Sequence, residues 1–453
     1  MSNIGGTVSN QSDIFLAYDI RGEVGTQLTT DLAHNVGRAF ADWLPESGKV
    51  AVGRDMRPDS AELADALISG LLKQGRDVVD IGQVTSDMIY FAVGEMNLAG
   101  GAMVTASHNP GKYNGIKLCR EQAKGVSLDA GLSEIRDAAL AQKFKDPQET
   151  GTKTEEDVVE GWVEHAVAFA GEGLRPLKIA VDAGNGMAGA IVPRLQDKVP
   201  FEITPLYFEL DGTFPNHEAN PLKFETLKDL QKTIVNNGLD GGVAFDGDGD
   251  RALLVDELGQ PLTGSITTAI MANYFLDREP GSTVLYNAIV SNIVPETVAK
   301  LGGKSERTRV GHSYIKQKMR EYDAVFAGEH SAHYYFRDNY CADSGLIAAL
   351  TVLGVLSRSG KKLSELAAEY RVYANAPEIN FQVDDKAGTI AKIKAAFSEG
   401  TQDELDGLSV RFEDWWFNLR PSNTEPLLRL NIEAKTEELL DEKLKQIQSL
   451  IEA

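Results

Sequence analysis

Cysteine is nearly missing from this chain: Cys119 and Cys341 are the two among 453 residues. Two thiols make no disulfide framework, which fits a reducing compartment. Long apolar runs are missing as well. The longest, around Leu346 to Leu356, falls short of the ~20 residues that cross a bilayer and reads as a buried helix. The N-terminal MSNIGGTVSNQSD lacks the apolar core of a signal peptide. Basic charge is in deficit, with 45 Lys and Arg against 67 Asp and Glu and a net charge of −22. Such a surface excludes nucleic acid and anionic membrane as the main partners but leaves room for a local basic cleft. There is no Walker loop, no GxSxG elbow and no nicotinamide-type glycine fingerprint where one would work. The expectation is a soluble, cytoplasmic protein.

What is present is globular: 42% hydrophobic and 25% charged residues. The length exceeds what one core organises and predicts about three or four domains. After a polar start, Tyr18-Asp19-Ile20-Arg21-Gly22 reads as a loop whose arginine is either solvated or an anion contact. Helical spacing covers Asp31 to Trp43. Lys49 to Gly53 is a strand, the turn from Arg54 to Ser60 caps a helix from Ala61, and Asp77 to Ile81 is a further strand. The polar segment from Asp146 to Val158 reads as a linker or a surface connection. The pattern then restarts with strand Lys178 to Val181 and a glycine-rich turn into a helix. It restarts again with strand Thr283 to Tyr286, a turn to Asn292 and a helix from Val294. Each cycle later reaches a short strand (Ala102 to Val104, Gly241 to Phe245, Ala324 to Ala327) that ends in a loop rich in functional groups. This is a weak triplication of α/β units, and in such sheets ligands sit at the strand ends, so the three loops converge on one cleft. From about Asn375 the order changes to strand, helix, several strands and a closing helix, Glu437 to Ile451, which predicts a small α+β domain.

The first loop is Thr105-Ala106-Ser107-His108-Asn109-Pro110, with Lys117 beyond. A hydroxyl at a strand tip beside an imidazole and a lysine suits a nucleophile or phosphate carrier, with an ordinary polar turn as the alternative. The second is Asp246-Gly247-Asp248-Gly249-Asp250-Arg251. Carboxylates at alternate positions, spaced by glycine, wrap one hard cation. An EF-hand would use Glu257 as its twelfth ligand, but Arg251 stands where glycine is needed and the flanks are strand-like. A phosphatase that forms an aspartyl-phosphate on Asp246 is a rival, weakened by the third aspartate. The third is Gly328-Glu329-His330-Ser331-Ala332-His333, where Glu329 and Ser331 suit sugar hydroxyls. His312 and Lys316 lie just upstream. Finally Arg420-Pro421-Ser422-Asn423-Thr424-Glu425-Pro426, with Arg429, reads as an anion cradle.

Taken in order, TASHNP, DGDGDR, GEHSAH and RPSNTEP make the chain resemble the α-D-phosphohexomutase superfamily, the phosphomannomutase/phosphoglucomutase enzymes of bacterial type. The resemblance covers nearly the whole chain. It implies four domains around a central cleft: 1–150 with the phosphoserine loop, 151–256 with the metal loop, 257–373 with the sugar-specificity loop, and 374–453 closing over substrate. It implies that Ser107 carries a phosphoryl group, and that this group with Asp246, Asp248 and Asp250 binds one Mg²⁺ per chain. Arg21, Lys117 and Arg251 are implied to steady the transferring phosphate, with His108 beside the serine. Glu329, Ser331 and His333 face the sugar; Arg420, Ser422, Asn423, Thr424 and Arg429 hold the distal phosphate.

The implied reaction interconverts hexose 6-phosphate and hexose 1-phosphate, mannose phosphate foremost and glucose phosphate also. It passes through a hexose 1,6-bisphosphate, which serves as activator. Phosphoglucosamine mutase, glucose-specific phosphoglucomutase, a metal-dependent phosphatase and a non-catalytic sugar-phosphate-binding protein are the alternatives. The expected assembly is a monomer or homodimer. One departure stands out: some family members place a lysine in the third domain's strand-to-helix turn as acid/base. Here Tyr286 to Asn292 has none, and the role falls to His312 or Arg21.

Overall fold

The computed structural model describes residues 11–45, 47–147, 149–422 and 427–452. One strand order occurs three times. In each unit an opening strand pairs in parallel with the strand after its helix and, on its other side, with a later strand that turns back as an antiparallel hairpin. The first unit uses Val50–Arg54, then Val78–Gln83 and Gly100–Val104, with Tyr113–Arg120 closing the hairpin. The second uses Leu177–Asp182, Phe201–Leu206, Gly241–Phe245 and Ala252–Asp256. The third uses Thr283–Asn287, Lys304–Thr308, Phe326–Gly328 and Tyr334–Phe336. The triplication expected from the sequence is therefore carried by topology. It places all three functional loops at the tips of equivalent hairpins, at the carboxyl ends of parallel strands.

The hairpin strands Gly100–Val104 and Gly241–Phe245 are buried along their whole length, as strands covered on both faces must be. One apolar cluster runs through all three units, joining Ile89 and Met103, Val181 and Phe245, and Phe326 and Leu350. The expected buried helix runs Gly345–Ser359, with Ser344 accepting the Ile347 N–H at its start. The last part is the expected small α+β domain. Antiparallel strands Leu408–Arg411, Trp415–Pro421 and Leu427–Ala434 pack under helices Lys386–Ala396 and Glu437–Glu452, around a core of its own that includes Phe417, Leu430 and Ile447. It meets the third unit through polar contacts, Arg411 Nη1 to Asn292 Oδ1 (2.7 Å) and Arg307 Nη2 to Asp403 Oδ2 (2.5 Å).

Three readings need correction. Arg21 lies in a strand, Ile20–Glu23, paired with Tyr113–Arg120, not in a loop. The polar linker contains an edge strand, Lys153–Glu155, which pairs with Val78–Gln83 although all its side chains face solvent. The glycine-rich turn after Asp182 leads to only a single helical turn, Ala188–Ile191, before a 3₁₀ segment with Pro193.

Candidate active site

Ser107 stands three residues beyond the end of Gly100–Val104, in a left-handed backbone conformation (φ 52). It is 1% exposed. Its Oγ donates to Asp246 Oδ2 (2.8 Å), so the hydroxyl of the first unit enters the acidic loop of the second. Gly247 makes that approach possible, because a Cβ there would lie 2.4 Å from the Ser107 carbonyl oxygen. Gly249, at φ 76, supplies the turn that brings Asp250 back beside Asp248.

Asp246, Asp248 and Asp250 are all buried, and one carboxylate oxygen from each lies within 4.8 Å of the others. Lys117 Nζ donates to Asp248 Oδ2 and Asp250 Oδ2, both at 2.6 Å, and Ser86 Oγ donates to Asp248 Oδ2 at 2.5 Å. Burial, reinforced by Asp250 and Asp248, raises the Asp246 carboxyl well above the ordinary range. Burial acts the same way on Asp250, but Lys117 foremost and Arg251 oppose it, and that carboxyl is held well below. Among the described residues, Asp248 Oδ1 and Asp250 Oδ1 are buried without a hydrogen-bond partner. Converging carboxylates with unpartnered oxygens are the donor set of a hard divalent cation, and the site fits Mg²⁺.

Arg251 ties the loops together. Its Nη2 lies 2.8 Å from His108 Nδ1, and its Nε donates to His333 Nε2 at 3.2 Å. A guanidinium only donates, so both nitrogens accept. His333 then carries its proton on Nδ1 and donates to Ser331 Oγ at 3.0 Å. Burial, with Arg251 and Arg21 adding to it, pushes His108 well below its usual pKa. It is a neutral acceptor beside Ser107 Oγ (3.1 Å). Arg21 bonds Asp19 (2.5 Å) and Asn109 Oδ1 (2.8 Å). Burial would weaken its hold on the proton, but Asp19, Asp248 and Asp250 prevail and raise its pKa. His312 is held at about 3 by burial and by Lys316, and Lys117 acts on it too.

Glu329, 2% exposed, accepts Asn287 Nδ2 (2.8 Å) and the Tyr335 hydroxyl (2.5 Å). In the small domain Arg420 donates to Asn431 Oδ1 and Glu378 Oε2 (both 2.9 Å), and Arg429 Nη1 reaches Glu378 Oε1 at 3.1 Å. Ser422 begins the tip between their strands; Asn423 and Thr424 lie outside the described residues. His330, in the loop Gly328 to His333, lies in the electrostatic field of Glu378 and Arg420. Burial lowers its pKa, Glu378 works against that, and Arg420 adds to it.

Four family models match in succession. They are phosphoglucomutase/phosphomannomutase alpha/beta/alpha domain I at residues 12–146, domain II at 160–259, domain III at 263–373, and the C-terminal domain at 378–449. The chain belongs to the phosphoglucomutase/phosphomannomutase family. It is 40% identical over 442 residues to a protein of Xanthomonas campestris pv. campestris (strain B100) named "Phosphohexose mutases", covering 96% of this chain and 98% of that one. It is 38% identical over 454 residues to a phosphomannomutase of Salmonella montevideo, covering 98% and 99%. A crystal structure of a phosphoglucomutase/phosphomannomutase family protein from Burkholderia thailandensis superposes with a TM-score of 0.90 at 33% identity, covering 98% of this chain and 97% of that one.

Several residues of this phosphoglucomutase/phosphomannomutase site carry no local signal in the sequence. Ser86 starts a helix and Asn287 ends a strand, and both look like ordinary turn residues until the fold brings them to Asp248 and Glu329. Glu378, shared by two arginines, lies in a featureless connection. Asp55 and Arg57 read as a capping turn. Only burial reveals that turn as an ion pair under the serine loop.

Proposed function

We propose that this chain is a phosphohexomutase that interconverts hexose 6-phosphates and hexose 1-phosphates, mannose phosphates foremost and glucose phosphates also, with Ser107 as the phosphoryl carrier. The observation that carries the reading is the Ser107 hydroxyl, turned in a left-handed conformation onto Asp246 within three buried carboxylates. Relatives named phosphomannomutase support mannose as the first sugar.

In the first half-reaction the Oγ–P bond of phospho-Ser107 breaks and a P–O bond forms to the free C1 or C6 hydroxyl; the proton that hydroxyl loses is balanced by the one the freed Ser107 Oγ takes up. The product is a hexose 1,6-bisphosphate. It turns over in the cleft and returns its other phosphoryl group to Ser107 Oγ. Free bisphosphate acts as activator by re-phosphorylating an empty Ser107. Asp246, Asp248 and Asp250, with the phosphate on Ser107, would hold one Mg²⁺, which supplies charge neutralisation at the phosphoryl oxygens. Arg21, Lys117 and Arg251 steady those oxygens. Arg21 keeps its proton, so it is an anion contact and not a base. His312 is neutral and a weak base at pH 7. A loose phosphoryl transition state asks for positioning and charge more than for a strong base, which suits a site without the third-domain lysine.

Glu329, Ser331 and His333 face the sugar hydroxyls, where one loop must serve both orientations of the intermediate. Arg420, Ser422, Asn423, Thr424 and Arg429 hold the distal phosphate. A phosphatase through Asp246 is disfavoured, because Asp246 Oδ1 already accepts the Arg251 N–H (3.1 Å) and Oδ2 the Ser107 hydroxyl. The test is intact mass with peptide mapping, then a mutase assay on mannose 1-phosphate and glucose 1-phosphate with bisphosphate present. Phosphate on Ser107 with isomerisation is expected. An unmodified Ser107 that bisphosphate cannot phosphorylate, with steady phosphate release, would overturn the reading.

A further inference from the structure

Arg57 contacts none of the reacting groups and is 3% exposed. A guanidinium has five N–H donors, and every one is used. Nε donates to Asp55 Oδ2 (3.2 Å), Nη1 to the carbonyls of Pro110 (3.0 Å) and Tyr113 (2.8 Å), and Nη2 to those of Ser107 (2.8 Å) and Asn109 (2.6 Å). The hairpin tip that carries Ser107 is thus pinned at four carbonyls by one side chain. Asp55 closes a ring from the other side. Its Oδ2 accepts the Thr105 hydroxyl (2.7 Å), whose oxygen accepts the Ser107 N–H (2.9 Å). The same buried ion pair thus holds the Ser107 carbonyl directly, through Arg57, and the Ser107 N–H through Thr105. The Phe214 ring of the second unit lies 5.1 Å from the guanidinium carbon.

We propose that Arg57, with Asp55, is a positioning residue for phosphoryl transfer, locking Ser107 in the left-handed turn that aims its Oγ at Asp246. A serine at positive φ relaxes to the ordinary regions unless its surroundings over-determine it. Here the determining contacts are these. Relaxation would swing Oγ away from the acidic loop, and a displacement of about 1 Å at a reacting atom costs about 100-fold in rate. Lysine cannot replace the fork, since one ammonium cannot span four carbonyls in a fixed plane. The inference rests on Ser107 being the phosphoryl carrier.

R57K and D55N, each in the full chain, are to be followed by kcat and KM in the mutase assay, by the rate of Ser107 phosphorylation with bisphosphate, and by amide exchange in the peptide covering 104–114. R57K is expected to lose about 100-fold in kcat with KM within about twofold of wild type. Phosphorylation of Ser107 should slow in parallel, and exchange should quicken in that peptide alone. Wild-type kcat and exchange would overturn the proposal. So would a raised KM at unchanged kcat, which would place Arg57 against substrate. Should R57K fail to fold, D55N decides. It turns one acceptor into a donor facing Thr105 or Ser60, and is expected to lose at least about tenfold in kcat, with wild-type values overturning the proposal. If the wild-type protein neither carries phosphate on Ser107 nor isomerises, the mutase reading fails, and the exchange result alone decides whether Arg57 holds the loop.

Discussion

At the residue scale, the metal assignment makes a sharp demand on Asp248. Its Oδ2 accepts from Lys117 and Ser86 while Oδ1 is left for a cation. Asp248→Ala removes that ligand and leaves the Lys117 ammonium with Asp250 as its one carboxylate partner, so turnover with Mg²⁺ should fall by at least about 1,000-fold, some 4 kcal/mol of transition-state stabilisation. Near-wild-type activity in this variant would sink the assignment. Glu329 makes a subtler one. Its two oxygens already accept from Asn287 and Tyr335, so the contact left for a sugar is the remaining lone pairs of an oriented carboxylate. Tyr335→Phe should keep the fold and raise KM by about tenfold or more, the loss of one hydrogen bond to a charged group. A fall in kcat at unchanged KM would show that Glu329 acts on the transition state instead.

His312 gives a pH prediction of definite sign. Burial and Lys316 hold it at about 3 in the fold, against roughly 6.5 in the unfolded chain. The unfolded state therefore binds the extra proton between those values. The stability that comes from keeping His312 neutral is complete above pH 6.5 and is lost as the pH falls toward 3, at about 1.4 kcal/mol per pH unit. In His312→Gln this loss is absent. The stability difference between wild type and variant should shift by about 2 kcal/mol in the variant's favour between pH 7.5 and pH 5, read from urea midpoints. A constant difference would mean that His312 titrates normally.

At the element scale, much of the fold was legible, for a physical reason. Fully buried parallel strands need continuous apolar runs, and those runs end abruptly where the chain turns back. Gly241 to Phe245 was therefore bounded correctly from sequence, and Ser107 and Asp246 could be placed at strand ends. Strands stabilised by pairing alone were not legible. Lys153–Glu155 has no buried side chain, and Arg21 occupies a four-residue strand with a glycine in it. Nor could spacing reveal what tertiary burial does to a turn. Asp55 and Arg57 look like solvated capping residues until the serine loop closes over them. Four short motifs revealed the site because each keeps its chemistry within six or seven residues. Ser86 stayed hidden because its partner Asp248 belongs to another unit, and Asn287 and Glu378 because their partners stand 42 or more residues further along the chain.

At the scale of the molecule, cohesion is uneven. The first three units share one apolar cluster, which joins residues from Ala51 to Ala367. The small domain has its own core and meets the third unit through hydrogen bonds and ion pairs. There the buried Glu433 carboxylate accepts both the Asn292 N–H (3.1 Å) and Trp416 Nε1 (2.7 Å). Apolar area buried between units couples their unfolding, whereas polar contacts that water can replace couple it weakly. The small domain should therefore unfold first and by itself. It carries Trp415 and Trp416, two of the four tryptophans, so fluorescence weights it heavily, while far-ultraviolet dichroism follows the larger helical body. In a urea titration the fluorescence midpoint should precede the dichroism midpoint. If bisphosphate binds as proposed, between the Ser107 loop and the Arg420 cradle, it should bring the two together, because a ligand bound across the cleft stabilises only the state in which both parts are folded. Coincident midpoints without ligand would show that the polar contacts at Asn292 and Glu433 couple the domains as strongly as a shared core.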